Sequence, residues 1–293
     1  IGAAAAGDRV ILNGGTMKAV GNTSWNSVFN ANTATTSDLN TNNFAVTLTN
    51  NITGTGTINL SSATGSVIFS TGGTQTVSAG LDGSTAISKT GTGTTTLSGT
   101  GTHSGTITVN DGRLNLAGGT ASNITVASGK SFGGEGTTTG SLTLAGTNNL
   151  FIDPTTAGGL TVGDLTLTGT NTLRFDVPLP TGTINVLTYT GSKTGAFGTN
   201  LIVENAAKYR STTFTDTLGV VTLDLGNKNL TWNGAGGGQW DVKTSARWND
   251  SDVDQFAWGD AATFDDTGTA TTVTLTGELQ PSSITVSGTK NYT

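Results

Sequence analysis

The sequence predicts an all-β chain: a β-solenoid of stacked, parallel β-helix-like coils, followed by a tryptophan-bearing β-module. Three observations lead there. Apolar and small polar residues alternate in runs of only three to five, which puts one side of each run inward. Glycine-bearing punctuation of a few residues separates the runs at short intervals, too short for the long hairpins of a broad sheet. No stretch of ten or more residues has helical periodicity, residues 200–210 (NLIVENAAKYR) coming nearest to it.

Taken in order, residues 10–12 and 17–20 read as the first strands. Residues 21–43, rich in Asn, Thr and Ser, read as a long loop protruding from a coil and pinned by Trp25 and Phe29. From 44 to 225 strand signals recur regularly, first at 45–48, 57–60, 66–69 and 75–77. At about 20 to 30 residues per coil they predict several rungs spaced ~4.8 Å apart. The clearest pattern is residues 87–119, ISKTGTGTTTLSGTGTHSGTITVNDGRLNLAGG, where alternation turns Leu97, Ile107, Val109, Leu114 and Leu116 toward the core. Composition shifts near 224–238: four of the five tryptophans come after it (Trp232, Trp240, Trp248 and Trp258), with seven acidic residues between 241 and 266. The expected domains are therefore 1–229, the solenoid, and 230–293, the module, in which strand patterning returns at 271–275, 283–286 and 291–293.

Composition excludes several function classes. With 33% apolar, 11% charged and 6% aromatic residues, a core can form, but a thin one. Disorder, the rival for a chain rich in Gly, Thr and Asn, would not keep Val, Ile and Leu at strand spacing throughout. The 13 basic residues are scattered and the net charge is −6, which speaks against nucleic acid and anionic membrane surfaces. No 18-residue apolar run offers a membrane span. Cysteine is absent, which suits a chain that crosses an oxidising compartment during export and, only slightly less well, a cytosolic one. Residues 1–7 (IGAAAAG) lack the basic start and apolar run of a signal peptide, so the reading is of a processed product or an excerpt.

The stretch 87–119 resembles the passenger-associated repeat of autotransporter-type bacterial surface proteins. Its entry is Lys89-Thr90-Gly91-Thr92-Gly93, then Thr96-Leu97-Ser98-Gly99, Gly105-Thr106-Ile107-Thr108-Val109-Asn110-Asp111-Gly112 and the closing Leu114-Asn115-Leu116. The aromatic usual in its middle segment is absent, and His103 stands near that place. Residues 140–146 (GSLTLAG), 160–169 (LTVGDLTLTG) and 184–191 (INVLTYTG) resemble the segments that come after such repeats, and 230–266 resembles the Trp-rich module that opens a next unit. The resemblance implies an extracellular, bacterial cell-surface β-solenoid, structural rather than enzymatic: a stalk, fibre subunit or adhesin scaffold. A surface glycan-binding or glycan-cleaving β-helix is the alternative.

Each chemistry-bearing residue also admits a plain structural role. Glycan cleavage would need clustered Asp and Arg on one face, and Asp153, Asp164, Asp176 and Arg174 are the candidates. Asp250, Asp252 and Asp254, at alternate positions, resemble the start of a calcium loop, though the glycine turn and closing glutamate are missing and a solvated acidic loop is the plainer reading. Trp232, Trp240 and Trp248 recur every eight residues. Exposed, they would form a platform for sugar rings; buried, they would plug a small core or cap a solenoid end. His103, the single histidine, sits in a Gly/Thr turn and reads as a surface residue. With no cysteine and one histidine, zinc-type and Cys/His sites are excluded, and no cofactor is called for. The Gly-x-Gly pairs read as turns. Ser283, Ile284, Val286 and Tyr292 mark a strand edge short of a partner, to be completed by the rest of a longer chain or by another copy of itself, head to tail. A glycan or a host or neighbouring surface is the other partner considered.

Overall fold

The computed structural model describes residues 9–155, 159–176, 182–250 and 252–293. Among them the chain is all-β, with short strands and a single 3-10 turn, Ala206–Lys208. It divides into two units, one of Ile1–Asp176, Val186–Ile202 and Thr217–Val220, the other of Val177–Asn185, Val203–Asp216 and Val221–Thr293. The second unit thus draws in two segments that precede residue 221, rather than beginning at one cut.

The first unit is a parallel β-solenoid. On its first face Arg9–Leu12, Val28–Ala31, Ile52–Gly54, Thr74–Val77, Thr94–Leu97, Arg113–Leu116, Ser131–Gly134, Asn149–Ile152 and Asn171–Phe175 stack in chain order. The second face runs from Thr23–Trp25 through Ser66–Ser70, Ile107–Val109 and Leu142–Leu144 to Lys193–Thr194. The third face comes in two series. Gly15–Lys18, Thr36–Asn40, Thr57–Ser61 and Gly80–Gly83 form one, and Gly119–Thr120, Thr137–Thr138 and Leu160–Val162 open the other. Among the described residues an isolated bridge from Thr100 to Gly119, with backbone hydrogen bonds from Gly101 to Gly119 and from His103 to Leu81, spans the coil between them.

Register explains the core. Thr95, Leu114, Phe132, Leu150 and Leu173 are successive partners on the first face, and all are buried. Leu97, Ile107, Val109 and Leu116 also point inward, as the alternation predicts. Each such side chain gains roughly 1.5–3 kcal/mol on leaving water, before conformational entropy is subtracted. On the outside of the second face the pairing aligns Thr108, Thr125, Thr143, Thr166 and Thr194. Threonine suits that place because its branched carbon fits the pleat while its hydroxyl stays wet.

The expected loop over 21–43 is instead regular solenoid, with strands Thr23–Trp25, Val28–Ala31 and Thr36–Asn40. Phe29, Ala31 and Leu39 supply its inward side. Its polar residues tie neighbouring coils: the Asn30 side-chain amide donates to Thr53 Oγ1 at 3.0 Å, that of Asn42 to the Ala19 carbonyl at 3.0 Å, and Asn22 Oδ1 accepts from the Ala45 N–H at 2.9 Å. Trp25 does meet Phe29, ring centroids 5.8 Å apart.

The second unit repeats the coil principle on fewer strands. Asn229–Trp232, Ala261–Phe264 and Ser283–Val286 pair in parallel. Gln239–Trp240 pairs in parallel with Thr274–Leu275, and Thr293 exchanges backbone hydrogen bonds with Thr271 and Val273. An antiparallel hairpin, Trp248–Asp250 with Asp252–Asp254, covers the other side of Asn229–Trp232.

Candidate functional site

A parallel solenoid must turn a corner in every coil, and corner carbonyls that point inward need donors. Between the second and first faces of the first unit, polar side chains in the inward phase supply them. Gln75 Nε2 donates to the carbonyls of Leu48 and Asn50 at 3.0 and 2.8 Å. Lys89 Nζ donates to those of Thr90, Gly91 and Asp111 at 2.9, 2.8 and 3.1 Å. Asn148 Nδ2 reaches Ala127 and Lys130, and Asn171 Nδ2 reaches Thr168 and Asn200. All four residues are buried. Burial lowers the Lys89 pKa, and Asp111 opposes that shift. The turn at Gly112 has φ +64°, and a Cβ there would fall 2.9 Å from Lys89 Nζ, so the ammonium fills space that only glycine leaves open.

His103 is a correction: it is 1% exposed, not a surface residue. It lies in the coil where the third face lacks a strand, and its ring fills that gap. Nε2 faces the Thr85 carbonyl at 2.8 Å and therefore carries a proton, while Nδ1 lies 2.8 Å from Ser122 Oγ. The Thr120 and Ser122 hydroxyls lie 2.9 Å apart and each also reaches the His103 carbonyl at 3.0 Å. Burial pushes the His103 pKa below its ordinary value, against the Thr85 carbonyl and the charge of Asp82. Ser122 and His103 thus form a hydroxyl–imidazole pair sealed from solvent, without access for a substrate.

The carboxylates considered for glycan cleavage are each held by the chain itself. Asp176 pairs with both terminal nitrogens of Arg113, Nη1 at 2.7 Å. Arg113 lies 4.0 Å from the Phe151 ring centre, with Arg174 5.9 Å from the same ring. Its guanidinium crosses Gly133, where a Cβ would stand 2.8 Å from Nη2, so one arginine ties several coils. Asp153 caps its own turn, accepting from the Thr155 N–H and hydroxyl, and Asp164 accepts from the N–H and hydroxyl of Ser192. These bonds hold both carboxyls below the usual range. Asp164 belongs to a different corner from the other three, so the four do not converge.

In the second unit Trp232, Trp240 and Trp248 are buried. Trp232 and Trp240 lie 5.0 and 5.1 Å from Trp248, edge to face, with Phe256 and Phe264 around them. They are core, and present no platform to a sugar ring. Asp250, Asp252 and Asp254 sit on the hairpin rather than in a loop. Lys228 Nζ reaches Asp250 and Asp254 at 3.0 and 2.9 Å, and Arg210 reaches Asp254. Burial works against the Asp254 charge, but Lys228, the Gln255 N–H and Arg210 outweigh it and lower its pKa. Asp252 is exposed and stands opposite Asp250 in the hairpin, and a lysine ammonium lies between Asp250 and Asp254. Among the described residues no three His, Cys, Asp or Glu gather as metal ligands. Asp260, fully buried, accepts from Arg210 Nε and Nη2, the Lys228 N–H and the Ala257 N–H, anchoring the unit.

What remains open is an edge. Every residue of Ser283–Val286 is exposed, yet Ile284 and Val286 pair with buried Ala262 and Phe264 and so occupy inward positions. With Leu275, Val273, Trp240 and Tyr292 they line an apolar groove of about 250 Å³. Tyr292 packs on Phe264 at 5.2 Å. The buried Trp240 Nε1–H has no acceptor among the described residues. Sequence reasoning located this edge; it missed Gln75, Asn148, Asn171, Arg113 and Asp260, and it took Lys89 only as part of a repeat.

Comparison with family profiles, curated proteins and solved structures found no match for the chain.

Proposed function

We propose that the chain is a structural, non-enzymatic segment of an extracellular bacterial surface protein of the autotransporter-like kind, a stalk, fibre subunit or adhesin scaffold whose copies join end to end. The observation that carries this reading is the parallel ladder of the first unit, apolar inside and threonine-covered outside, in which the candidate catalytic groups are bonded to the chain's own donors. Such a ladder resists extension because each coil is hydrogen-bonded to the next, and its uncharged hydroxyl surface stays hydrated. The glycan-binding alternative drew on three exposed indoles, and their burial removes its support.

The test is surface labelling. Antibodies raised against the chain should stain intact cells that make it, and protease applied to those cells should release its fragments. Staining that appears only after lysis would overturn the reading.

A further inference from the structure

The third face of the first unit breaks at one coil. Its first series ends with Gly80–Gly83, its second begins with Gly119–Thr120, and residues 98–106 between them form no strand. A Cβ at Gly99 or Gly101 would strike the Ala79 or Leu81 carbonyl, so this segment lies directly on the coil before it. The His103 side chain joins it to both neighbours. Nε2 donates to the Thr85 carbonyl of the coil before, and Nδ1 lies against Ser122 Oγ of the coil after, each at 2.8 Å. The His103 N–H donates to the Leu81 carbonyl and the His103 carbonyl accepts from the Ala121 N–H, both at 2.9 Å.

Charge has little to balance it here. The ring borders a cavity of about 10 Å³ walled by Val77, Ala79, Leu81, Leu97, Ile107 and Leu116. In residues 79–86, 98–106 and 117–123, the segments that meet around the ring, Asp82 is the only other titratable side chain. Its carboxylate is taken up by the Thr102 N–H and hydroxyl at 2.7 and 2.9 Å. Of the strands beside the cavity, Ala86–Thr90 carries Lys89, held at the corner between the second and first faces, and Arg113–Leu116 carries Arg113, which pairs with Asp176.

We propose that residues 98–106 are an acid-opened seam: protonation of His103 releases this segment from the two coils that flank it while the rest of the ladder stays folded. A second proton has its place on Nδ1. Ser122 Oγ accepts it by turning its own hydroxyl to the His103 carbonyl, 3.0 Å away, so hydrogen bonding does not forbid the step. What resists is an imidazolium enclosed beside an apolar cavity, with no carboxylate bonded to the ring. Opening returns the ring to water. Burial outweighs Asp82 and lowers the His103 pKa, so the closed form is favoured in full above about pH 6.5 and loses ground as pH falls toward the folded value. The seam needs neither surface location nor joined copies.

Amide exchange of the full chain at pH 7.5 and pH 5, corrected for intrinsic rates, tests this. Protection of residues 81–85, 99–105 and 119–122 should fall roughly tenfold at pH 5, under the ~30-fold ceiling that an ordinary imidazole pKa of ~6.5 sets there. Residues 142–152 should keep theirs. His103 is the single histidine, so its ring resonance titrates without overlap, and it should do so below the ordinary pH. His103→Gln should show equal protection at both pH values, and Asp82→Asn should keep the acid loss. Unchanged protection in the parent would overturn the proposal, as would a loss spread equally over residues 142–152. So would an acid loss that persists in His103→Gln or vanishes in Asp82→Asn, or a ring that titrates at its ordinary pH. Where His103→Gln fails to fold, Asp82→Asn and the ring titration decide.

Discussion

Leu114→Asp tests the inward register of the first unit most sharply. Leu114 is fully buried between Thr95 and Phe132 of the adjoining coils. Removing the leucine forfeits about 1.5–3 kcal/mol of transfer energy. A carboxyl in that place ionises with difficulty, its pKa rising roughly 3–5 units, which at 1.36 kcal/mol per unit adds about 4–7 kcal/mol where the unfolded chain is ionised. The folded pKa then lies above the unfolded one, so the folded state holds the extra proton and stability falls as pH rises between the two. The added penalty is full above the folded pKa and absent below about pH 4. Urea unfolding of variant and parent at pH 4 and pH 8 reads this difference directly, with Thr108→Asp on the outer face as control. The loss for Leu114→Asp should be several kcal/mol larger at pH 8 than at pH 4, and near zero at both for the control. A loss independent of pH, or equal to the control's, would refute the register.

Three further outcomes rest on the same contacts. Gly133→Ala should cost about 1–3 kcal/mol, since its Cβ would stand 2.7 Å from the Phe151 carbonyl oxygen as well as against Arg113; a double-mutant cycle with Asp176→Asn should show the Arg113–Asp176 coupling lost in the alanine background. His103 is held neutral, its pKa lowered by burial, so its contribution is complete above about pH 6.5 and drains away as pH falls through the folded value; relative to His103→Gln, the parent should lose stability in melts taken from pH 7 down to pH 4.5. Asp260→Ala should cost about 3–5 kcal/mol, because Arg210 and two backbone N–H groups lose their acceptor; amide exchange over residues 205–264 should report it.

Much of the fold was legible because it rests on period-two alternation, which sequence displays directly. Leu97, Ile107, Val109, Leu114 and Leu116 are inward by phase alone. Residues 21–43 misled because each coil there spends only one or two apolar residues on the core, such as Phe29 and Leu39, while asparagines carry the ties between coils. The corner donors left a signal that composition hides. Gln75 shares the phase of Val77, Lys89 that of Ile87, Asn148 that of Leu150 and Asn171 that of Leu173, so a polar residue in the apolar phase beside a turn is the mark. His103 could not be placed because its burial depends on the break in the third face in its own coil and on the coils stacked either side, a fact of stacking rather than of local sequence.

Those polar residues bear on how the register is chosen. Apolar alternation alone is degenerate in a solenoid: sliding a coil by two residues keeps the same side inward and costs only packing detail. A buried donor at a corner removes that freedom. Sliding the coil that holds Lys89 by two residues would take its ammonium from the Asp111 carbonyl of the next coil at 3.1 Å, leaving only the Thr90 and Gly91 carbonyls that travel with it, and a buried charge short of an acceptor costs more than mismatched aliphatic contacts. The same holds, more weakly, for Gln75, Asn148 and Asn171, whose amides each bridge two corner carbonyls. At the open edge of the second unit no such donor points outward, since Ser283–Val286 presents only a serine, a threonine and two aliphatics.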